Sequence, residues 1–175
     1  MLKSKKKRIG IFGGSFDPPH HGHLKISKLV IKKLLLDEVY WCVTKKNPFK
    51  KKTFFSLSER IKKSKIITDK IKKIKIKFFE GKIKSVNTIN LIKYLRKRNK
   101  KNIYFLIIGS DNLIKFHKWK SWKLLLELTE IVVLSRKDYD KNAKKSAIMK
   151  QMKKIIFIKN KPINISSTEI RKKIS

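Results

Sequence analysis

An α/β protein with a doubly wound parallel sheet and helices on both faces is the fold this sequence predicts, and three observations lead to it. Short apolar runs of strand length alternate with longer helical patterns throughout, which is the signature of parallel β-α units. The run 103–108 is wholly apolar, as a central strand covered on both faces must be. The first apolar run, 8–12, meets Gly13-Gly14 and then a helix start, the look of a buried strand ending in a tight turn.

The elements follow in order. After the strand at 8–12, Pro18 and Pro19 suit a helix entry, where a missing N–H costs nothing. Over 20–36, Leu24, Leu29, Val30, Ile31, Leu34 and Leu35 fall at helical spacing. Residues 39–44 read as a second strand, and 44–55 as a basic loop containing Asn47-Pro48. Ser56 with Glu59 forms a capping box, which predicts a helix over 57–69. Ile74, Ile76 and Phe78 alternate with lysines as a third strand. A helix over 87–98 turns Ile89, Ile92 and Leu95 inward, and the central strand 103–108 follows. The remaining pattern predicts a helix at 121–128, a strand at 131–135, a helix at 142–153, a strand at 155–158 and a closing helix at 167–173. No repeat or linker interrupts the series, so the chain 1–175 is expected to be a single domain, with a basic arm at 1–7. In such sheets the ligand crevice lies at the carboxyl ends of the strands. The loops after Phe12, Thr44, Ile108 and Ser135 should therefore share one edge.

Composition narrows the function classes. Of 175 residues, 41% are hydrophobic, enough for a globular core. The net charge of +36 attracts polyanions without fixing a fold. The lysines are spread evenly and not gathered on one element, so compositional drift accounts for them and nucleic acid is not an expected partner. Cys42 is the sole cysteine, which rules out an intrachain disulfide. No apolar run approaches the ~20 residues of a membrane helix. The apolar run 9–12 after the basic start is too short for a signal peptide. The expectation is a soluble, cytoplasmic protein without a membrane partner.

The stretch GIFGGSFDPPHHGHL, residues 10–24, holds three of the four histidines. Glycines at a strand end let backbone N–H groups approach a ligand, and the helix that follows turns its positive end to the same space. His20 and His23, three apart in the first helical turn, can share a face and donate to one anion, with Gly22 leaving room between them. A zinc site is a weaker reading, because only Asp17 stands nearby as a further ligand. The dinucleotide fingerprint G-x-G-x-x-G and the P-loop pattern are both absent.

Gly13-Gly14-Ser15-Phe16-Asp17-Pro18 followed by His20-His21-Gly22-His23 resembles the nucleotidyltransferase superfamily with the H-x-G-H motif. Ile165-Ser166-Ser167-Thr168-Glu169-Ile170-Arg171 resembles the I-S-S-T-x-I-R element of the same superfamily, though on its own it is also a capping box of Ser166 with Glu169. The resemblance implies a Rossmann-like fold and transfer of a nucleotidyl group with release of pyrophosphate. It implies that Gly13, Gly14, Ser15, Phe16, His20, His23, Ser167, Thr168 and Arg171 receive ATP, with His20, His23 and Arg171 catalytic.

The stretch IIGSDNLIKFHKWKSW, 107–122, is similar to the branch of that superfamily that adenylylates nicotinate mononucleotide. That likeness implies Gly109 and Asp111 at the adenosine, Arg136 near the nucleotide, and Ser15, Phe16, Lys50, Ser85 and Trp119 at the nicotinate nucleotide. Trp122 reads as core packing. Where the branch has proline and glycine after its arginine, this chain has Lys137 and Asp138. The implied partners are ATP and nicotinate mononucleotide, with Mg²⁺ accompanying ATP and a homo-oligomer left open. Nicotinamide mononucleotide and phosphopantetheine are the alternative acceptors, and a basic nucleic-acid-binding module is the alternative outside enzymes.

Overall fold

The computed structural model describes residues 5–45, 53–136, 138–150, 155–160 and 165–174. Among them, six strands form a parallel sheet: β1 (Arg8–Gly14), β2 (Glu38–Val43), β3 (Ile74–Lys77), β4 (Ile103–Gly109), β5 (Glu130–Leu134) and β6 (Ile155–Ile158). Their order is β3-β2-β1-β4-β5-β6, and each neighbouring pair is parallel. The helices are α1 (His21–Lys33), α2 (Leu57–Thr68), α3 (Glu80–Ile83), α4 (Thr88–Arg98), α5 (Ser110–Ile114), α6 (Trp122–Leu128), α7 (Asp140–Lys144), α8 (Ala147–Lys150) and α9 (Ser167–Lys172).

The two-residue period of the strands divides the core between the sheet's two faces. Tyr104, Leu106 and Ile108 pack with Ile89, Ile92 and Leu95 of α4 and Leu125 of α6. Phe105 and Ile107 turn the other way, toward Leu24 and Val30 of α1 and the fully buried Trp41. Both sides of β4 are therefore covered, which is why its sequence carries no polar alternation.

Three local expectations are corrected. Gly13 and Gly14 do not end the strand; they stay in β1, opposite Cys42 and Val43, and the turn begins beyond them. The helix expected at 20–36 stops at Lys33, and Leu35 takes a left-handed φ of 48°. The helix expected over 142–153 is two short helices, α7 and α8, and the end of that span lies outside the described residues. The helical turns α3 and α5, too short to show a period, were not foreseen.

Candidate active site

The strand order runs outward in opposite directions from the β1/β4 pair, so the crevice for a ligand opens where the carboxyl ends of these strands part. A Cβ on Gly13 would meet nothing within 4 Å, so packing does not demand a glycine there and the space beside it is open to a ligand. Beyond Gly14 the chain turns through Phe16, whose φ is 47°. Its ring is 2% exposed and stacks on Trp41 at 4.7 Å. The Phe16 side chain thus belongs to the core, and any contact it makes with a nucleotide falls to its backbone.

The two motif histidines build the start of α1. His20 is the N-cap in extended conformation, and His23 is the third helical residue. The Gly22 amide donates to His20 Nδ1 at 3.1 Å, and the His20 amide donates to His23 Nδ1 at 3.2 Å. This is a capping box made from imidazoles, where serine and glutamate usually serve. Its consequence is chemical. A ring nitrogen that accepts an amide N–H carries no proton, so in both rings the proton sits on Nε2. Each histidine keeps its Nε2–H as a donor, and the ring centroids are 3.8 Å apart. Burial, followed by the field of Arg136, holds His20 down to about 4. Burial, then His20, then Arg136 hold His23 down to about 3. Both rings are neutral donors at neutral pH. No acidic residue occupies the first turn of α1 to quench the helix's positive end.

His23 is also set from below. The Trp41 indole donates to Ser27 Oγ at 2.7 Å, and the Ser27 hydroxyl donates to the His23 carbonyl at 2.9 Å. The linkage has a sign that pH can test. Because their folded values lie below the ordinary 6.5, the two imidazoles favour the folded state above that pH. That contribution fades as pH falls through about 4 and about 3. A thermal-melt series from pH 7 to 3 should therefore fall less steeply in His23→Gln than in the parent.

The carboxy-terminal motif closes on the same loop. Ser166 caps α9 with Glu169 as its box partner. The Ser167 hydroxyl donates to the Pro18 carbonyl at 2.9 Å. Arg171 donates to the Asp17 carbonyl, lies 3.8 Å from the Asp17 carboxylate and donates to Thr168 Oγ1 at 3.0 Å. Asp17 is 2% exposed, and its carboxylate accepts the amides of Phe54 at 2.8 Å and Phe55 at 2.9 Å. Elements about 150 positions apart in sequence are thus pinned to one carboxylate.

On the β4/β5 side, Asp111 and Arg136 pair at 3.3 Å, and Asp111 Oδ1 is buried without a partner. A Cβ on Gly109 would lie 2.7 Å from Arg136 Nε and clash with Asp111 Oδ1, so this pair needs glycine at 109. The Arg136 amide donates to Ser110 Oγ at 3.0 Å and to Asp140 Oδ1 at 2.9 Å. Asp140, which also accepts from the Ser135 hydroxyl, was not foreseen as an anchor of this loop. Asp138 stands where the resembling branch has glycine, and it takes a φ of 72°. Aspartate is among the few side chains that tolerate that region, so the loop keeps a glycine-like turn.

On the β2 side a small cleft is lined by Gly13, Thr44, Phe79, Ser85 and Thr88. Ser85 Oγ accepts from the Asn87 amide at 3.1 Å and from Asn90 Nδ2 at 2.9 Å, leaving its own hydrogen to donate. Trp119 is not part of this lining; it packs 5.1 Å from the Phe116 ring, and Trp122 packs against the same core. Lys50 lies outside the described residues. Among the described residues no three His, Cys, Asp or Glu side chains gather as metal ligands, and no helix is long and apolar enough to cross a membrane. Sequence reasoning missed Arg60, which is 1% exposed and donates to the carbonyls of Ser15 and Thr44.

Residues 11–173 match the cytidylyltransferase-like family. The chain is 46% identical over 173 residues to a probable nicotinate-nucleotide adenylyltransferase of Pelagibacter ubique (strain HTCC1062), covering 98% of this chain and 96% of that one. It is 37% identical over 128 residues to a protein of the same name from Ruegeria sp. (strain TM1040), covering 73% of this chain and 67% of the other. In fold it is similar to the Plasmodium falciparum nicotinic acid mononucleotide adenylyltransferase complexed with NaAD. That likeness has a TM-score of 0.78 at 22% identity and covers 95% of this chain and 83% of that one.

Proposed function

This chain belongs to the cytidylyltransferase-like family, and we propose that it transfers the adenylyl group of ATP to nicotinate mononucleotide, giving nicotinate adenine dinucleotide and pyrophosphate. The observation that carries the reading is the closure of α9 on the loop after β1, which brings both motif segments to one crevice. The chain, read as a single catalytic domain, works in the cytoplasm on two small anionic substrates.

The reaction needs no covalent enzyme intermediate. An oxygen of the acceptor's 5′-phosphate, already an anion, attacks the α-phosphorus of ATP. A new P–O bond forms there, the bond from the α-phosphorus to the bridging oxygen breaks, and pyrophosphate departs with the electron pair. The protein's work is to align two anions and to meet charge as it moves onto the leaving group. His20 and His23 supply neutral Nε2–H donors, and Arg136 supplies the nearby positive field. The Thr168 hydroxyl, accepting from Arg171, keeps its own hydrogen for a phosphate oxygen. Ser167 and Arg171 hold α9 in place for that contact. Asp111 Oδ1 is an acceptor for a ribose hydroxyl beside Gly109. Gly13, Gly14 and the backbone of Ser15 and Phe16 border both nucleotides. Ser85 donates on the nicotinate side, with Lys50 and Trp119 as further candidates there.

With no cluster of metal ligands among the described residues, a divalent cation fits as a companion of ATP, held by phosphate oxygens and water. Mg²⁺ so bound would neutralise charge on those oxygens. The test is pyrophosphate release from ATP and Mg²⁺ with nicotinate mononucleotide, nicotinamide mononucleotide and phosphopantetheine in turn. Turnover with the first above the other two is expected, and none with the first overturns the reading.

A further inference from the structure

Arginine is scarce in this lysine-rich chain. Of 48 basic residues only six are arginine: Arg8, Arg60, Arg96, Arg98, Arg136 and Arg171. Where lysine satisfies nearly every demand for positive charge, a retained guanidinium marks a demand for its planar fork of donors. Arg60 makes the strongest case. It is 1% exposed, and its guanidinium donates to four carbonyls: Phe55 at 3.1 Å, Ser15 at 2.6 Å, Thr44 at 2.7 Å and Lys45 at 3.0 Å. No ion pair of the described residues includes it. Burying a cation with no direct ion partner is costly even with the carboxylates of Asp17 and Glu80 favouring its charge, and a well-packed apolar side chain would be the cheaper occupant for stability. The acceptors explain why the cation is there. Ser15 follows β1 beside the histidine turn, Thr44 lines the cleft with Gly13 and Ser85, and Phe55 adjoins the Asp17 anchor.

We propose that Arg60 is a positioning residue, which sets the distance between the loop after β1 and the end of β2 and so fixes the width of the cleft on the nicotinate side. Its kinetic consequence rests on the function proposed above; its structural consequence does not. Lysine cannot substitute, because its three donors share one nitrogen and cannot reach four carbonyls from three segments.

Two variants test this, Arg60→Lys and Arg60→Met, by hydrogen exchange and by kinetics. In both, amides within 13–17, 44–45 and 53–55 should exchange roughly tenfold faster or more, as expected for lost charge-assisted hydrogen bonds, while those of β4 and α4 keep their protection. In both, kcat/KM for nicotinate mononucleotide should fall about 10²-fold, mostly through KM, with KM for ATP within about twofold of the parent. Unchanged local exchange, exchange rising throughout the sheet, or parental kcat/KM in Arg60→Lys each overturns the proposal. A parent protein that does not turn over nicotinate mononucleotide refutes the function instead, and the exchange measurement still decides the role of Arg60.

Discussion

His23→Ala should lower kcat by at least ~10²-fold, the scale of losing one preorganised donor to developing charge. The structure sharpens why the loss is large. The His23 ring does two jobs, capping the His20 amide through Nδ1 and leaving Nε2–H for the leaving group. Alanine removes the donor and also frees His20 to reorient, so both rings of the pair are affected. Gln at 23 is the informative comparison, since it can keep the cap or present a donor but does not lock one tautomer. Stopped-flow or steady-state pyrophosphate release measures the effect. A kcat within a factor of about three of the parent would remove His23 from the chemistry.

Asp17→Ala should be the most destabilising change near the crevice, by about 3–5 kcal/mol, the range for removing one member of a buried charged pair. Its carboxylate satisfies the amides of Phe54 and Phe55 and faces Arg171. Alanine leaves two amide donors without an acceptor and removes the carboxylate that faces the Arg171 guanidinium. Asp17→Asn should fall between, because its single carbonyl oxygen serves one amide while its NH₂ opposes the other. Urea melts followed by circular dichroism give the numbers, and a loss below about 1 kcal/mol for alanine would show that the site relaxes around the gap.

What the sequence disclosed and what it withheld divide along a physical line. Strand and helix periods are local, so the alternation of elements and the double-sided burial of β4 could be read directly. The caps of α2 and α9 were legible for the same reason. Strand order was not, because nothing in a strand's own residues says which neighbour it will find. The histidine spacing pointed to one shared face in the first turn, but not to the N-cap and third-residue pairing through Nδ1 that fixes it. Asp17 looked like a stray ligand candidate; only the return of residues 54–55 and 171 makes it an anchor. Arg60 was hidden among lysines in α2, yet its signal was present, since it is the one arginine in that helix. Asp140 was passed over although its partners Ser135 and Arg136 stand only five and four positions before it, because a turn of that kind carries no regular period.

The latch formed by α9 has a thermal consequence. It is six residues long, buries none of them, and joins the body of the protein through a few polar contacts across 149 and 154 positions of chain. Contacts so distant in sequence form late, after the sheet that supports them, and so thin an attachment lets go early. On warming, the enzyme should lose turnover some degrees before its strands melt, and on cooling it should regain it in full, the heat-sensitive part being a clasp and not the frame.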